Sequence, residues 1–120
     1  MDSTAIKAII QEYFDANWEA DADKIAKVFH ESAHVYGHGA DGSFAEFDKE
    51  SFVKLIASLK PINDVPRTDE ILSIDFIGKR AAVCRVKIRV GNVIYTDILN
   101  FIEIGGKWAV IAKIYSGENA

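Results

Sequence analysis

The segment Arg80–Ser116, RAAVCRVKIRVGNVIYTDILNFIEIGGKWAVIAKIYS, contains three β-branched and aromatic runs separated by two dipeptides, Gly91-Asn92 and Gly105-Gly106. Runs of this composition favour strands. Both dipeptides suit two-residue hairpin turns, whose central residues need positive φ angles. The segment therefore predicts three antiparallel strands whose register is set by two tight turns.

The predicted register assigns each side chain of this segment to one of two faces, because side chains alternate along a strand. If both turns are tight, Val90 pairs with Val93 and Ile104 pairs with Lys107. We expect the inner face to hold Cys84, Val86, Ile88, Tyr95, Asp97, Leu99, Phe101, Trp108, Val110, Ala112 and Ile114. We expect the outer face to hold Val83, Arg85, Lys87, Arg89, Ile94, Thr96, Ile98, Asn100, Ile102, Ala109, Ile111, Lys113 and Tyr115. A slip of one residue, or a β-bulge, would exchange the faces locally.

Asp97 is a charged residue among the apolar side chains assigned to the inner face, and its position there needs a chemical explanation. A buried carboxylate is costly unless it is paired or protonated. One interpretation is an acid, base or hydrogen-bond donor in a cavity, with Tyr13, Asn17, Tyr95 or a histidine as partners. The second is a structural hydrogen bond to a helix backbone or to Tyr13, and the third is an error in the face assignment.

The N-terminal half predicts three helices from apolar residues that recur at helical spacing. Their expected starts are Asp2 or Ser3, Asp21 or Asp23, and Asp48. Two further strands are expected at Ala33–His38 and Glu70–Ile77. The order α-α-β-α-β-β-β-β indicates one α+β domain over residues 1–120, in which helices cover one face of a curved antiparallel sheet.

The composition excludes several classes of protein. The net charge is −4 and no basic cluster is present, so binding of nucleic acid through its phosphates is not expected. No apolar run reaches membrane-spanning length, and the first residues lack the pattern of a signal peptide. The single cysteine, Cys84, excludes an internal disulfide and suits a reducing compartment, so we expect the chain in the cytoplasm.

Several motifs resemble those of the nuclear transport factor 2-like superfamily. They are the strands Tyr95–Phe101 (YTDILNF) and Gly106–Tyr115 (GKWAVIAKIY), the Tyr13-Phe14 pair of the first helix, and the junction Phe29–Ala33 (FHESA). Within the superfamily the chain is most similar to the SnoaL-like group and to bacterial proteins labelled putative lumazine-binding. The resemblance covers nearly the whole chain.

The resemblance implies a cone-shaped α+β domain, in which a strongly curved antiparallel sheet wraps around three helices and leaves an apolar cavity. The superfamily includes isomerases, cyclases, dehydratases and transport adaptors, so the fold alone defines no single activity. In its ketosteroid isomerases, apolar burial keeps one aspartic acid protonated, so that it donates a hydrogen bond to an oxyanion. Asp97 is similar to such a residue in its strand and its face.

These observations predict a small-molecule-binding domain with three alternative uses. They are cofactor-independent proton transfer in an isomerase, cyclase or dehydratase reaction, noncatalytic binding of a flat pterin-like or flavin-like ring, and a protein-interaction module. The candidate catalytic residues are Asp97, Tyr13 and His38. The candidate ligand-binding residues are Asn17, Trp18, Tyr36, Phe44, Phe47, Tyr95 and Leu99.

The histidines of the first predicted strand do not suggest a metal site. His34, Tyr36 and His38 alternate and so share one face. The two histidines would be about 13 Å apart, too far to bind one metal ion together. We therefore expect no metal and no cofactor. His38 is interpreted either as a base at the cavity rim or as an exposed polar residue at the end of the strand.

The outer face of the predicted sheet carries four isoleucines: Ile94, Ile98, Ile102 and Ile111. A patch of this kind is rarely left bare on a soluble monomer. A homodimer through this face is the simplest cover, since closed twofold dimers dominate soluble oligomers. The alternative is a helix or tail that folds over the face.

Overall fold

A computed structural model describes residues 2–120 of the chain, which form three helices and six strands. In chain order these are α1 (Thr4–Glu19), α2 (Ala22–Val28), β1 (Phe29–His38), β2 (Phe44–Asp48), α3 (Lys49–Ala57), β3 (Asp69–Ile77), β4 (Ala81–Val90), β5 (Val93–Ile104) and β6 (Lys107–Asn119). The strands form one curved, unclosed sheet in the order β2-β1-β6-β5-β4-β3. The architecture is α+β, as predicted from the order of elements.

The sheet is mixed, whereas the sequence predicted an antiparallel sheet throughout. Strands β3 to β6 are antiparallel neighbours, and β1 pairs with β2 in the same way. However, β1 runs parallel to β6. The strand β2 was not predicted, because its five residues follow the glycine-rich loop directly and lead into α3. It extends the sheet beyond β1 and completes one edge.

The helices begin and pack for local reasons that the sequence contains. The side chains of Asp21 and Asp48 accept hydrogen bonds from the backbone N–H groups of Lys24 and Ser51, which caps α2 and α3. Helix α1 buries one stripe, which consists of Ile6, Ile10, Tyr13, Phe14, Ala16 and Asn17. This stripe brings Tyr13 and Asn17 to the inner face of the sheet.

Both predicted turns are present, and the register next to each turn is confirmed. Val90 pairs with Val93, and Ile104 pairs with Lys107. Gly91 has a φ of 61°, in the region that the turn requires. The register carries Asp97 to the inner face, where it is fully buried.

A β-bulge in β6 changes the face assignment of the residues beyond it. Phe101 is opposite Val110 but Asn100 is opposite Ala112, so one residue, Ile111, has no partner of its own. The prediction was therefore wrong for the end of β6. Lys113 and Tyr115 lie on the inner face opposite Leu99 and Asp97, and Ala112 and Ile114 lie on the outer face.

Candidate functional site

A cavity of about 100 Å³ lies between the inner face of the sheet and the helices α1 and α3. We call it the cone cavity. It is lined by Tyr13, Asn17, Phe47, Phe52, Leu55, Ile56, Leu59, Ile88, Val90, Tyr95, Asp97, Lys113 and Tyr115. Leu55 and Leu59 are 38% and 41% exposed, so the C-terminal end of α3 marks its mouth. The opposite end contains the polar groups of Tyr13, Asp97 and Lys113.

Asp97 is 0% exposed, and only one of its two carboxyl oxygens has a hydrogen-bond partner. The hydroxyl of Tyr13 donates to Oδ2. The other oxygen, Oδ1, is buried and has no partner among the described residues. Burial raises the pKa of Asp97, and the charge of Lys113 and the hydrogen bond from Tyr13 oppose that rise. Such an oxygen needs a donor, since an unsatisfied buried acceptor costs about 1–3 kcal/mol.

Lys113 is the one buried lysine among residues 2–120, with an exposed fraction of 6%. Its Nζ lies 3.9 Å from Oδ2 of Asp97, beyond direct hydrogen-bonding distance. The same atom lies 4.7, 4.9 and 5.4 Å from the ring centroids of Phe52, Tyr13 and Tyr115. Burial lowers the pKa of Lys113, and the nearby Asp97 opposes this effect. The amine is thus held between aromatic faces rather than fixed by a close ion pair.

Tyr95 and Tyr115 form one wall of the cavity, and two glycines on neighbouring strands leave room for their rings. The rings of Tyr95 and Tyr115 meet edge to face, with centroids 5.5 Å apart. A Cβ atom at Gly37 would overlap the ring of Tyr115, and one at Gly117 would lie 2.9 Å from the ring of Tyr95. The missing side chains therefore let both rings lie against the neighbouring strands.

Tyr13 itself is 0% exposed, and its phenol is held in the protonated state. Burial, followed by the charge of Asp97 and the hydrogen bond to it, raises the pKa of Tyr13 well above its usual value. The side-chain amide of Asn17 donates to the backbone carbonyl of Tyr13, one turn earlier in α1. Tyr13 is accordingly a hydrogen-bond donor at the polar end, and Asn17 supports the helix that carries it.

The structure brings together five of the residues that the sequence nominated. Tyr13, Asn17, Phe47, Tyr95 and Asp97 all line the cone cavity. Their roles in binding or catalysis stay predictions.

The other nominated residues do not line this cavity. His38 and Tyr36 lie on the exposed face of β1, where Tyr36 is opposite Ile114 and the ring of His38 packs against Phe44. This placement argues against His38 as a base at the cavity rim and favours the exposed polar alternative.

Three further candidates are not among the residues that line the cavity. Phe44 is 60% exposed on β2. The indole of Trp18 packs under Arg67, whose Cζ is 5.7 Å from the ring centroid. Leu99 is fully buried in the core beside Asp97. None of these positions supports the ligand contact that the sequence suggested.

Sequence reasoning missed Lys113 and Tyr115, which were assigned to the outer face. The bulge at Ile111 is the physical reason. One signal was available: a buried carboxylate requires a partner, and Lys113 is the cation on a neighbouring strand that a one-residue bulge turns inward. Phe52 and Ile56 were predicted as the apolar side of α3, and their contact with the cavity depends on tertiary packing.

Residues 2–120 contain neither a metal-binding cluster nor a membrane-spanning helix. Across residues 2–120, no three His, Cys, Asp or Glu side chains gather in an arrangement that could hold a metal ion. None of the helices described for these residues is long and apolar enough to cross a membrane.

Known proteins match this chain over nearly its whole length. A family model described as putative lumazine-binding matches residues 1–116. No curated protein matches the chain. An NTF2-like protein of unknown function from Shewanella baltica is 24% identical, with a TM-score of 0.85 and coverage of 97% of this chain and 93% of that chain.

Two other solved structures share the fold at lower identity. An NTF2-like protein of unknown function from Silicibacter pomeroyi is 19% identical, with a TM-score of 0.85 and coverage of 98% of this chain and 100% of that chain. A ketosteroid isomerase-like protein from Erwinia carotovora atroseptica is 14% identical, with a TM-score of 0.72 and coverage of 97% of this chain and 95% of that chain. At these identities the likeness establishes the fold.

Proposed function

The chain belongs to the family described as putative lumazine-binding, within the nuclear transport factor 2-like superfamily, and on that premise we propose that it binds a small planar molecule in the cone cavity. One polar edge of the molecule would lie against Asp97 and Lys113. The observation that carries this proposal is the buried, unpartnered Oδ1 of Asp97 beside an aromatic-lined cavity. A domain that used its fold only for protein interaction would have no need of an open cavity with a polar end.

The polar end is complementary to a ring that carries a hydrogen-bond donor next to an acceptor. Oδ1 of Asp97 can accept from a ligand N–H, and the amine of Lys113 can donate to a ligand carbonyl. Lumazine has such an edge, since its pyrimidinedione ring alternates N–H and C=O groups. The same edge occurs in other cyclic amides and imides, which therefore share the proposed chemistry.

The volume of the cavity limits how much of the ligand enters. An engineered apolar cavity of about 150 Å³ holds benzene, and the cone cavity measures about 100 Å³. Because the cone cavity is smaller than the cavity that holds benzene, we infer that only the polar edge of one ring enters it and that the remainder of a two-ring ligand lies at the mouth, beside Leu55 and Leu59. The rings of Tyr95 and Tyr115 would contact the flat faces of the ligand.

Titration with lumazine and with 1,3-dimethyllumazine tests this proposal. The methylated compound keeps the ring and both carbonyls but lacks both imide N–H groups. A hydrogen bond to a charged group contributes about 1.5–3 kcal/mol, so we expect lumazine to bind about 10- to 100-fold more tightly. Isothermal titration calorimetry at pH 7 measures both affinities.

The variant Asp97→Asn is the matched control for that titration. It should weaken binding of lumazine and leave binding of the dimethyl compound almost unchanged, because only the former donates to the carboxylate. Equal affinity of the two compounds for the original chain would contradict recognition of an N–H edge.

Proton transfer without a cofactor is a second candidate function, favoured by the raised pKa of Asp97 beside the cavity. A carboxyl group whose pKa is closer to neutrality is a better general acid or base at pH 7. The same variant separates the two candidates. Loss of turnover with retained binding would support catalysis, and loss of binding alone would support a noncatalytic role.

We also propose that the chain forms a homodimer through the outer face of β5 and β6. Ile98 is opposite Ile114, which is 52% exposed, and Ile94 and Ile102 extend the same apolar face. The bulge adds Ile114 to the isoleucine patch that the sequence predicted. Specific interfaces bury about 1,200–2,000 Å² in total, and a twofold contact through this face would cover its exposed apolar area.

Ile98→Lys is expected to convert the dimer to a monomer, because a charge at the centre of an apolar interface would be desolvated without a partner. Analytical ultracentrifugation at micromolar concentration gives the mass. Leu72→Lys, on the edge strand β3 where Leu72 is 42% exposed, is the matched control and should remain dimeric. A monomeric original chain would contradict the proposal.

A further inference from the structure

We propose that Lys113 forms a reversible imine with small, neutral aldehydes or ketones that enter the cone cavity. The inference rests on the proposed binding site, because it places the carbonyl of a ligand against the amine of Lys113. It goes beyond that site by assigning a covalent reaction and a substrate class to one residue.

The position of the amine favours reaction with a carbonyl compound. Lys113 lines the cavity, and its Nζ has no direct hydrogen bond to the nearest carboxylate, which is 3.9 Å away. The amine is buried, and the ring centroids of Tyr13, Phe52 and Tyr115 lie within 5.4 Å of it. An amine in such apolar surroundings is the arrangement by which lysines are activated for imine formation.

The neutral amine is accessible because burial disfavours the charged forms of both Lys113 and Asp97. Burial lowers the pKa of Lys113 and raises the pKa of Asp97. Both shifts bring the neutral pair, a carboxylic acid and a free amine, closer in free energy to the ion pair. An exposed lysine such as Lys60 has no such partner in a dry cavity.

The proposed reaction needs no further reagent. The lone pair of Nζ forms a bond to the carbonyl carbon, and one proton of the amine moves to the carbonyl oxygen to give a carbinolamine. The hydroxyl group then leaves as water with the second proton of the amine, and the C=N bond forms. The carboxyl group of Asp97 carries these protons, with Oδ2 held by Tyr13. Hydrolysis is the exact reverse, so the bond is reversible.

The cavity selects neutral carbonyl compounds over keto acids. Its walls are apolar and aromatic, and a volume of about 100 Å³ admits only small molecules. The carboxylate of a keto acid would meet Asp97 and would find no cation other than the reacting amine. We therefore expect butanal to react and pyruvate to fail.

Trapping with cyanoborohydride at pH 7 tests the inference on the unmodified chain. Butanal should give one butyl group at Lys113, located by peptide mapping. Because burial lowers the pKa of Lys113, more of its amine is neutral at pH 7 than it would be in water, so we expect modification of Lys113 to be faster than that of Lys60. Pyruvate should give no adduct above the background of exposed lysines, and Lys113→Arg should abolish the selective adduct.

The outcomes separate this inference from the proposed function. Modification of Lys113 at the rate of Lys60 or more slowly would overturn the imine, and binding of lumazine in that case would leave the binding function standing. Selective modification without lumazine binding would support the imine and contradict recognition of the cyclic-amide edge. Protection of Lys113 by lumazine would support both. The comparison within the original chain does not depend on whether the arginine variant folds.

Discussion

Replacement of Lys113 by methionine should lower the free energy of unfolding by about 3–5 kcal/mol at pH 7, because it leaves a buried carboxylate without its cation. Asp97 is fully buried, and Lys113 is the cation that lies near it inside the cavity. Adding Asp97→Asn should restore most of the loss, since the amide is neutral and still accepts the hydrogen bond from Tyr13. Urea unfolding of the two single variants, the double variant and the original chain gives the coupling energy.

The pH dependence of the methionine variant provides an independent check. Burial raises the folded-state pKa of Asp97 above its usual value of 3.8. The protonated carboxyl is therefore the better tolerated form in the fold, and stability is lost as the pH rises through the folded pKa. The loss of unfolding free energy caused by Lys113→Met should become smaller as the pH is lowered from 7 towards 4. In the double variant, the difference in unfolding free energy from the original chain should stay constant over this range.

Lys107→Met is the matched control, because Lys107 is an exposed lysine on the same strand. Its effect should stay within about 0.5 kcal/mol, as for other surface substitutions. A double variant as unstable as Lys113→Met would contradict a dominant electrostatic interaction between Lys113 and Asp97. The methionine would then destabilise the fold through packing.

The parts of the fold that depend on local rules could be predicted from the sequence. Gly91-Asn92 and Gly105-Gly106 determine two hairpins, and alternation from Val93 carries Asp97 to the inner face over four residues. The helix starts at Asp21 and Asp48 follow equally local capping rules. Short-range geometry was therefore sufficient to identify the carboxylate at the centre of the candidate site.

The bulge could not be placed by the same arithmetic. The rule that side chains alternate between faces cannot show where an extra residue interrupts β6. Ile111 is as compatible with a regular strand as its neighbours are. Only the electrostatic requirement of Asp97 indicates that a cation must turn inward. The pairing of Lys113 with Asp97 is thus a consequence of the whole sheet rather than of the sequence around either residue.

The first strand shows a second limit. Its inner face is set by parallel pairing with β6, which lies more than seventy residues further along the chain. Ala33, Val35 and Gly37 are buried, and His38 is exposed. The aromatic and histidine side chains were chemically attractive candidates, but the small residues between them are the ones that the sheet turns inward.

Gly37→Ala should destabilise the fold by about 1–3 kcal/mol, the usual cost of forcing extra volume into a packed interior. Gly37 is buried opposite Tyr115, and an added Cβ would overlap the ring atoms of that tyrosine. The ring must then leave its position against β1, where it forms part of the cavity wall. Lumazine should therefore also bind more weakly to the variant.

In a Tyr115→Ala background, we expect Gly37→Ala to stabilise the fold rather than destabilise it. Without the ring, the three nearest atoms that an added Cβ would meet are absent. Alanine is then favoured over glycine in a strand by about 0.5–1 kcal/mol because it loses less backbone entropy. Urea unfolding of the four proteins in this cycle measures the change of sign. Destabilisation of equal size in both backgrounds would mean that the backbone conformation at residue 37, rather than the ring of Tyr115, requires glycine. The position of Tyr115 would then depend on other contacts.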